Sequence, residues 1–276
     1  TTFRRRTLIE DKVPISTQLN SLMTNITDDS AKDQTMLFQL RDLMFSQGAK
    51  SNSPIYCHIR VNLYQRFNDE YYYINRIDTL MIKDTYKAII EEAASVITSF
   101  VVDNLTTLPL DEVYSLNDVY NIDNIEKSEI KLYATDAYQN GIYPDYYSFA
   151  NQTPLTVEMT YKLKDKELKE VKVKDATDEK WVKMKPQDIY AVVVEGIPYI
   201  AAGKKYCILY KKDNNLEFKT EETSGLGITP SVSIGVGGGS GGGFVGGGIG
   251  ITIFGSSKKE KITMYIDHLN GDFIAK

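Results

Sequence analysis

An α+β fold is predicted for this chain: an N-terminal helix–hairpin–helix unit, then a mostly antiparallel β domain, barrel- or roll-like, carrying a glycine-rich hairpin. Three observations predict it. Apolar residues recur at helical spacing over 33–46 and 85–104, with a period-two stretch between them. The second half of the chain alternates apolar and polar residues along most of its length. Residues 225–254 contain no ionisable side chain and hold most of the chain's glycine.

The elements follow in order. Met36, Leu37, Leu40, Leu43 and Met44 predict a helix over 33–46, with Asp33 placed to cap its start and Gly48 to close its end. From residue 55 the period becomes two. Ile55, Cys57, Ile59, Val61 and Leu63 share one face, and Tyr56, His58, Arg60, Asn62 and Tyr64 share the other. An Asn68-Asp69 turn returns the chain as a second strand over 71–82. Tyr86, Ile89, Ile90, Ala93, Ile97, Phe100 and Val101 form the apolar stripe of a long helix over 85–104.

This first domain is expected to span 1–108. Residues 109–154 are polar, rich in Tyr and Asn and weakly periodic, and read as a connector with short helical turns, one near 145–150. An all-β domain is expected over 155–276. In it Leu155, Val157, Met159, Tyr161 and Leu163 alternate with polar residues, and Val171 and Val173 alternate with lysines. Ile189 to Val194 is continuously apolar, the pattern of a strand buried on both faces. The last hairpin is expected to turn through Asn270-Gly271 in a type I′ conformation.

Composition narrows the function classes. There are 32 basic and 37 acidic residues, a net charge of -5, which argues against nucleic acid as the main partner because phosphate binding needs clustered basic charge. Arg4, Arg5 and Arg6 form only a short basic run. The stretch 162–185 holds nine lysines among six acidic residues, interleaved in sign, and reads as a solvated strand face. The two cysteines, Cys57 and Cys207, lack a CxxC spacing, so a zinc-ribbon site is excluded by count. Both lie in apolar runs and read as buried free thiols. Only two histidines occur: His58 on the polar face of its strand, expected to be exposed, and His268 at the final turn. No catalytic set, metal site or cofactor is expected.

The glycine-rich hairpin 225–254 receives the closest reading. With a turn near Ser240, Val236 faces Val245 and Val232 faces Ile249, giving one apolar face and a mobile tip. Gly237, Gly239 and Gly242 match GxGxxG, but no βαβ strand precedes them and no helix follows. Gly238, Ser240 and Gly242 match GxSxG, but a nucleophile elbow needs a strand-to-helix turn, an acid and then a histidine; only His268 follows, and Asp267, adjacent to it in a strand, points to the opposite face. Membrane contact or homotypic packing is the remaining functional reading, with Val236, Ser240, Phe244 and Val245 as the interaction residues. Elsewhere Tyr143, Tyr146, Tyr147 and Trp181 are the candidate ligand-binding aromatics, since such rings pair an apolar body with a polar tip. The competing reading of the tyrosines is that they anchor the connector onto the β domain.

Three stretches carry a resemblance: NGIYPDYYSFANQTP over 140–154, KPQDIYAVVVEGIPYIAAGKKYCILY over 185–210, and KKEKITMYIDHLNGDFI over 258–274. In order and spacing they resemble a family of uncharacterised secreted proteins or lipoproteins of Bacteroides-group bacteria. The matching positions are Gly141, Ile142, Tyr143, Phe149, Asn151 and Pro154, then Lys185, Asp188, Ile189, Gly196, Tyr199 and Ile200, then Asp267 and Gly271. Relatives often carry an aromatic residue and Gly after the Asp-Ile pair, where this chain has Tyr190 and Ala191. The resemblance covers the second half of the chain and implies a compartment and an architecture but no chemistry. It places the protein outside the cytoplasm, in the periplasm or at the cell surface, with a leader removed upstream of Thr1. The expected function is that of a non-enzymatic envelope or surface binding module for a protein or glycan partner. The alternative is a structural or assembly component that self-associates, or contacts membrane, through the glycine-rich hairpin.

Overall fold

The computed structural model describes residues 13–27, 35–47, 54–175, 179–221 and 261–275. Strand outweighs helix among them, 46% to 27%, and the antiparallel sheets curl into half-barrels, so the chain is β-rich with both element types. It divides into two compact units, Thr1–Ile122 and Asp123–Lys276.

In the first unit a four-stranded sheet is formed by β1 (Thr35–Gln47), β2 (Ile55–Phe67), β3 (Glu70–Lys83) and β4 (Val113–Tyr114), in that order. Helix α1 (Ile15–Ile26) precedes it and buries none of its residues; α2 (Tyr86–Asp103) follows β3, and α3 (Leu116–Tyr120) follows β4. β2 and β3 join through Asn68 and Asp69, both left-handed at φ 50° and 68°, as a type I′ turn requires. α2 begins where Thr85 Oγ1 accepts the Ala88 amide at 3.2 Å. Its residues Ile89, Ala93 and Phe100 pack on Ile55, Cys57, Ile59, Val61 and Leu63, all buried. Burying such a branched side chain contributes about 1.5–3 kcal/mol each.

The helix expected over 33–46 is the strand β1, so the helix–hairpin–helix order is replaced by three long strands and a helix. The reason lies in one β-bulge. β1 pairs with β2 along its length, but the register shifts between Leu40 and Asp42. Met36, Phe38 and Leu40 therefore share the helix-covered face with Leu43 and Phe45. A step of three at 40–43 interrupts the period-two pattern and imitates helical spacing. The capping residues Asp33 and Gly48 lie outside the described residues.

The second unit opens with α4 (Ile122–Glu129), α5 (Lys131–Ala134), β5 (Gly141–Tyr143) and α6 (Tyr146–Ala150). A three-stranded sheet follows, β6 (Met159–Lys164), β7 (Glu167–Lys174) and β8 (Trp181–Met184). The remaining strands are β9 (Ala191–Val194), β10 (Ile197–Ala202), β11 (Lys205–Lys212), β12 (Asn215–Glu221), β13 (Lys261–Ile266) and β14 (Phe273–Ala275). With β5 they form a seven-stranded antiparallel sheet in the order β14-β13-β12-β11-β10-β9-β5. Glu221 pairs with Lys261, which closes the β12–β13 ladder.

β9 explains its own apolar run. Ala191 and Val193 join one core with Tyr143, Phe149, Ile200, Leu209 and Phe218. Val192 and Val194 join another with Ile142, Leu168, Val171 and Tyr199. Residues 123–154, read as a connector, thus supply Leu132, Tyr133, Ile142, Tyr143, Tyr146 and Phe149 to the centre of the second unit. Their weak periodicity reflects short elements, each with one or two buried positions, rather than solvation.

The terminal turn also departs from expectation. Asn270 is not left-handed; only Gly271 is, at φ 80°, and its amide donates to Asp267 O at 2.8 Å across a six-residue loop. A Cβ at Gly271 would meet Tyr146 Cγ at 2.2 Å, whereas one at Gly203, φ 64°, would meet nothing within 4 Å. Gly271→Ala is therefore expected to destabilise the protein by about 3 kcal/mol or more, and Gly203→Ala by about 1 kcal/mol. Urea unfolding midpoints of the two variants check this; equal shifts would contradict the tight packing at Gly271.

Candidate functional site

The three-stranded sheet presents two unlike faces because residues alternate across each strand. Val171, Val173 and Met184 turn toward the core with Met159 and Leu163. The opposite face follows from the register: Trp181 beside Lys174, Lys183 beside Lys172, Lys172 beside Thr160 and Glu170 beside Lys162. Trp181 is 48% exposed there. Lys183 and Lys172 share one carboxylate, Glu170, at 3.0 and 3.3 Å, and Lys174 reaches Glu158 at 3.4 Å. Lys183, then Lys172, hold the Glu170 carboxyl below its usual range. Lys162, Lys164, Lys172, Lys174 and Lys183 on this face against Glu158, Glu167 and Glu170 leave it locally basic on a chain of net charge -5. The lysine stretch is a solvated strand face, as read, and the chain's one tryptophan sits among its lysines.

The other candidate aromatics separate into two kinds. Tyr143 and Tyr146 are buried, while Tyr147 is half-exposed beside them. Tyr143 OH donates to Gln139 O at 2.6 Å and its ring meets Phe149 edge-on at 5.0 Å. Tyr146 OH donates to His268 O at 2.5 Å, and burial pushes its phenol well above the usual range. Tyr133 OH and Tyr190 OH donate to Ile266 O and Gly271 O at 3.1 and 2.7 Å. Neither Tyr143 nor Tyr146 has a ring face open to a ligand, so the anchoring role describes both. Val236, Ser240, Phe244 and Val245 lie outside the described residues, as do Arg4, Arg5 and Arg6.

His58 is not exposed. Its Nδ1 lies 2.7 Å from Asp42 Oδ2 and its Nε2 2.7 Å from Asp78 Oδ1, while Arg60 Nη2 donates to Asp78 Oδ2 at 2.8 Å. Sheet register creates this group: Asp42, Arg60 and Asp78 are directly opposite one another on three strands, and His58 is two residues along the same face. A carboxylate on each ring nitrogen demands two N–H donors, hence an imidazolium. Burial alone would lower the His58 pKa, but the hydrogen bonds to Asp42 and Asp78 outweigh it and raise it to about 9. For Asp78, burial is outweighed by the bonds from His58 and Arg60, which lower it to about 2. Below this row, Asn62 and Tyr64 share Gln39 Oε1 at 3.3 and 3.1 Å, continuing the polar face inward. Cys57, on the opposite face, is a buried thiol raised to about 11, chiefly by burial and then by Asp42; Cys207 is likewise buried, and neither forms a disulfide.

His268 belongs to a different kind of group. It is 6% exposed, and its Nε2 lies 2.8 Å from Glu126 Oε2 on α4. Asp123, one turn earlier on α4, completes a set in which one donor atom from each residue lies within 4.8 Å of the others. These three residues have the chemistry to hold a metal ion. The sequence reading missed them because 142 positions separate Glu126 from His268; the Asp-x-x-Glu spacing on a short helix was the only local signal.

No family model, curated protein or solved structure matches this chain. Among the described residues no helix is long and apolar enough to cross a membrane.

The His58 group predicts a pH profile. A histidine raised from 6.5 to about 9 contributes stability fully present below 6.5 and lost as pH rises to about 9. An aspartate lowered from 3.8 to about 2 contributes stability present above 3.8 and lost as pH falls through about 2. Denaturant midpoints should therefore fall between pH 6.5 and 9 in the parent protein, and His58→Gln should flatten that limb. An NMR titration of His58 with a midpoint near its ordinary 6.5 would contradict the geometry.

Proposed function

We propose that the chain is a non-enzymatic extracytoplasmic binding module whose contact surface is the outer face of β6, β7 and β8. The observation that carries this reading is Trp181, half-exposed beside Lys174 with Lys172 and Lys183 adjoining. An indole offers a flat apolar surface for a sugar ring or an aliphatic stem, and flanking ammonium groups pair with carboxylate, sulfate or phosphate. The chemistry fits an acidic partner at the cell envelope, a glycan before a protein. Its charge contacts are solvent-exposed, so binding should be screened by salt. The extracytoplasmic setting rests on the resemblance carried by 140–154, 185–210 and 258–274. The parts of these stretches that are described pack together: β5 pairs with β9, and Tyr190 OH bonds Gly271 O at 2.7 Å.

Because Trp181 is the chain's single tryptophan, intrinsic fluorescence reports directly on the proposed surface. Titration with heparin, an acidic polysaccharide probe, should shift Trp181 emission, and neutral dextran should leave it unchanged. Replacing Lys172 and Lys183 with Ala should weaken binding by about tenfold, as expected for two lost charge contacts, and raising salt to about 0.5 M should weaken it further. Trp181→Ala, followed by calorimetry, should weaken it comparably. Unaltered emission with heparin would refute the surface. Heparin binding insensitive to all three substitutions but lost on deleting 236–245 would instead favour the glycine-rich segment as the contact.

A further inference from the structure

We propose that Asp123, Glu126 and His268 form a binding site for a divalent first-row cation, with zinc as the reference ion. The donor set comprises one imidazole nitrogen and two carboxylates. With the imidazole neutral it carries two negative charges, which a divalent ion balances. Zinc bonds to His nitrogen and carboxylate oxygen are about 2.0–2.2 Å, so neighbouring donors around one ion lie about 3–3.5 Å apart. Glu126 Oε2 and His268 Nε2 stand at 2.8 Å, and all three donors fall within 4.8 Å, so small side-chain adjustments suffice. Asp123 and Glu126 are at i and i+3 on α4 and therefore share one helix face.

The histidine is held as a ligand needs to be. Its carbonyl accepts the Tyr146 hydroxyl at 2.5 Å, and its ring meets Tyr133 edge-on at 6.4 Å. Its other nitrogen, Nδ1, lies 3.9 Å from Asp267 Oδ1, and Asp267 Oδ1 is fixed by the Leu269 amide at 3.0 Å. A carboxylate beside the non-ligating nitrogen is the usual way proteins set the tautomer of a metal-bound imidazole. Asp123 is exposed and Glu126 partly so, leaving the solvent side of an ion open to water or to an anionic group of a partner. The His58 group shows the contrast. Its two carboxylates contact opposite ring nitrogens and cannot share one ion, so a proton serves there. At His268 the two α4 carboxylates lie together, and an ion bound there ties α4 to the terminal loop.

The test uses the full chain stripped with chelator and titrated with Zn²⁺ by calorimetry. About one equivalent should bind, and Glu126→Gln and Asp123→Asn should each weaken binding by at least roughly tenfold. Asp123 is exposed, so its variant keeps the fold, which far-ultraviolet circular dichroism checks. Co²⁺ as a spectroscopic substitute should give a visible absorption band that the Asp123→Asn variant loses, whereas His58→Gln keeps it. No uptake by the parent chain, or uptake that Asp123→Asn and Glu126→Gln leave unchanged, overturns the site.

Discussion

Three phenols of the second unit's core hold it together. Tyr133, Tyr146 and Tyr190 donate to the carbonyls of Ile266, His268 and Gly271. Each removes a peptide oxygen from water and compensates it with a hydrogen bond, while the ring fills core volume. The carbonyls belong to the last strand pair and its loop, and the rings come from α5, α6 and the segment before β9. Losing one phenol would leave a peptide oxygen unpaired under a cavity, which costs more than either defect alone. Gly271 is the counterpart of this arrangement, because the Tyr146 ring fills the space where a side chain would stand.

The two histidines show how similar residues acquire different chemistry from their surroundings. His58 is enclosed by charges that sheet pairing brings into line, and the geometry fixes it as a cation. A row Asp42–Arg60–Asp78 across three strands would leave a surplus carboxylate without it. His268 instead sits between the acidic face of α4 and Asp267, with Glu126 Oε2 at 2.8 Å from one ring nitrogen and Asp267 Oδ1 at 3.9 Å from the other. In both cases the imidazole mediates between segments distant in sequence.

Much of this architecture was legible in the sequence where one period held without interruption. The strand 55–64, the Asn68-Asp69 turn, the helix 85–104 and the doubly buried run ending at Val194 all emerge as read. β1 did not, because a single extra residue at 41 converted alternation into an apparent helical step. In 109–154 the short helical turn near 145–150 emerges as α6, but the burial of the tyrosines does not, because they count as polar in a hydropathy pattern though their rings are core. Tyr143 and Tyr146 were read either as ligand-binding rings or as anchors of the connector, and their burial fits the anchors; Trp181 was singled out and is exposed. The Asp123–Glu126–His268 group was beyond reach, since its proximity exists only once the terminal loop folds against α4.

The pairing of Glu221 with Lys261 has a consequence for how the chain tolerates change. Adjacent antiparallel strands hold paired Cα atoms about 4.5–5.5 Å apart, so the segment 222–260 starts and finishes at nearly one point. The β12–β13 ladder therefore fixes where residues 221 and 261 stand, and whatever joins them has only to span that short gap. The position is one where evolution or an engineer can exchange one insert for another while the framework beneath keeps its register.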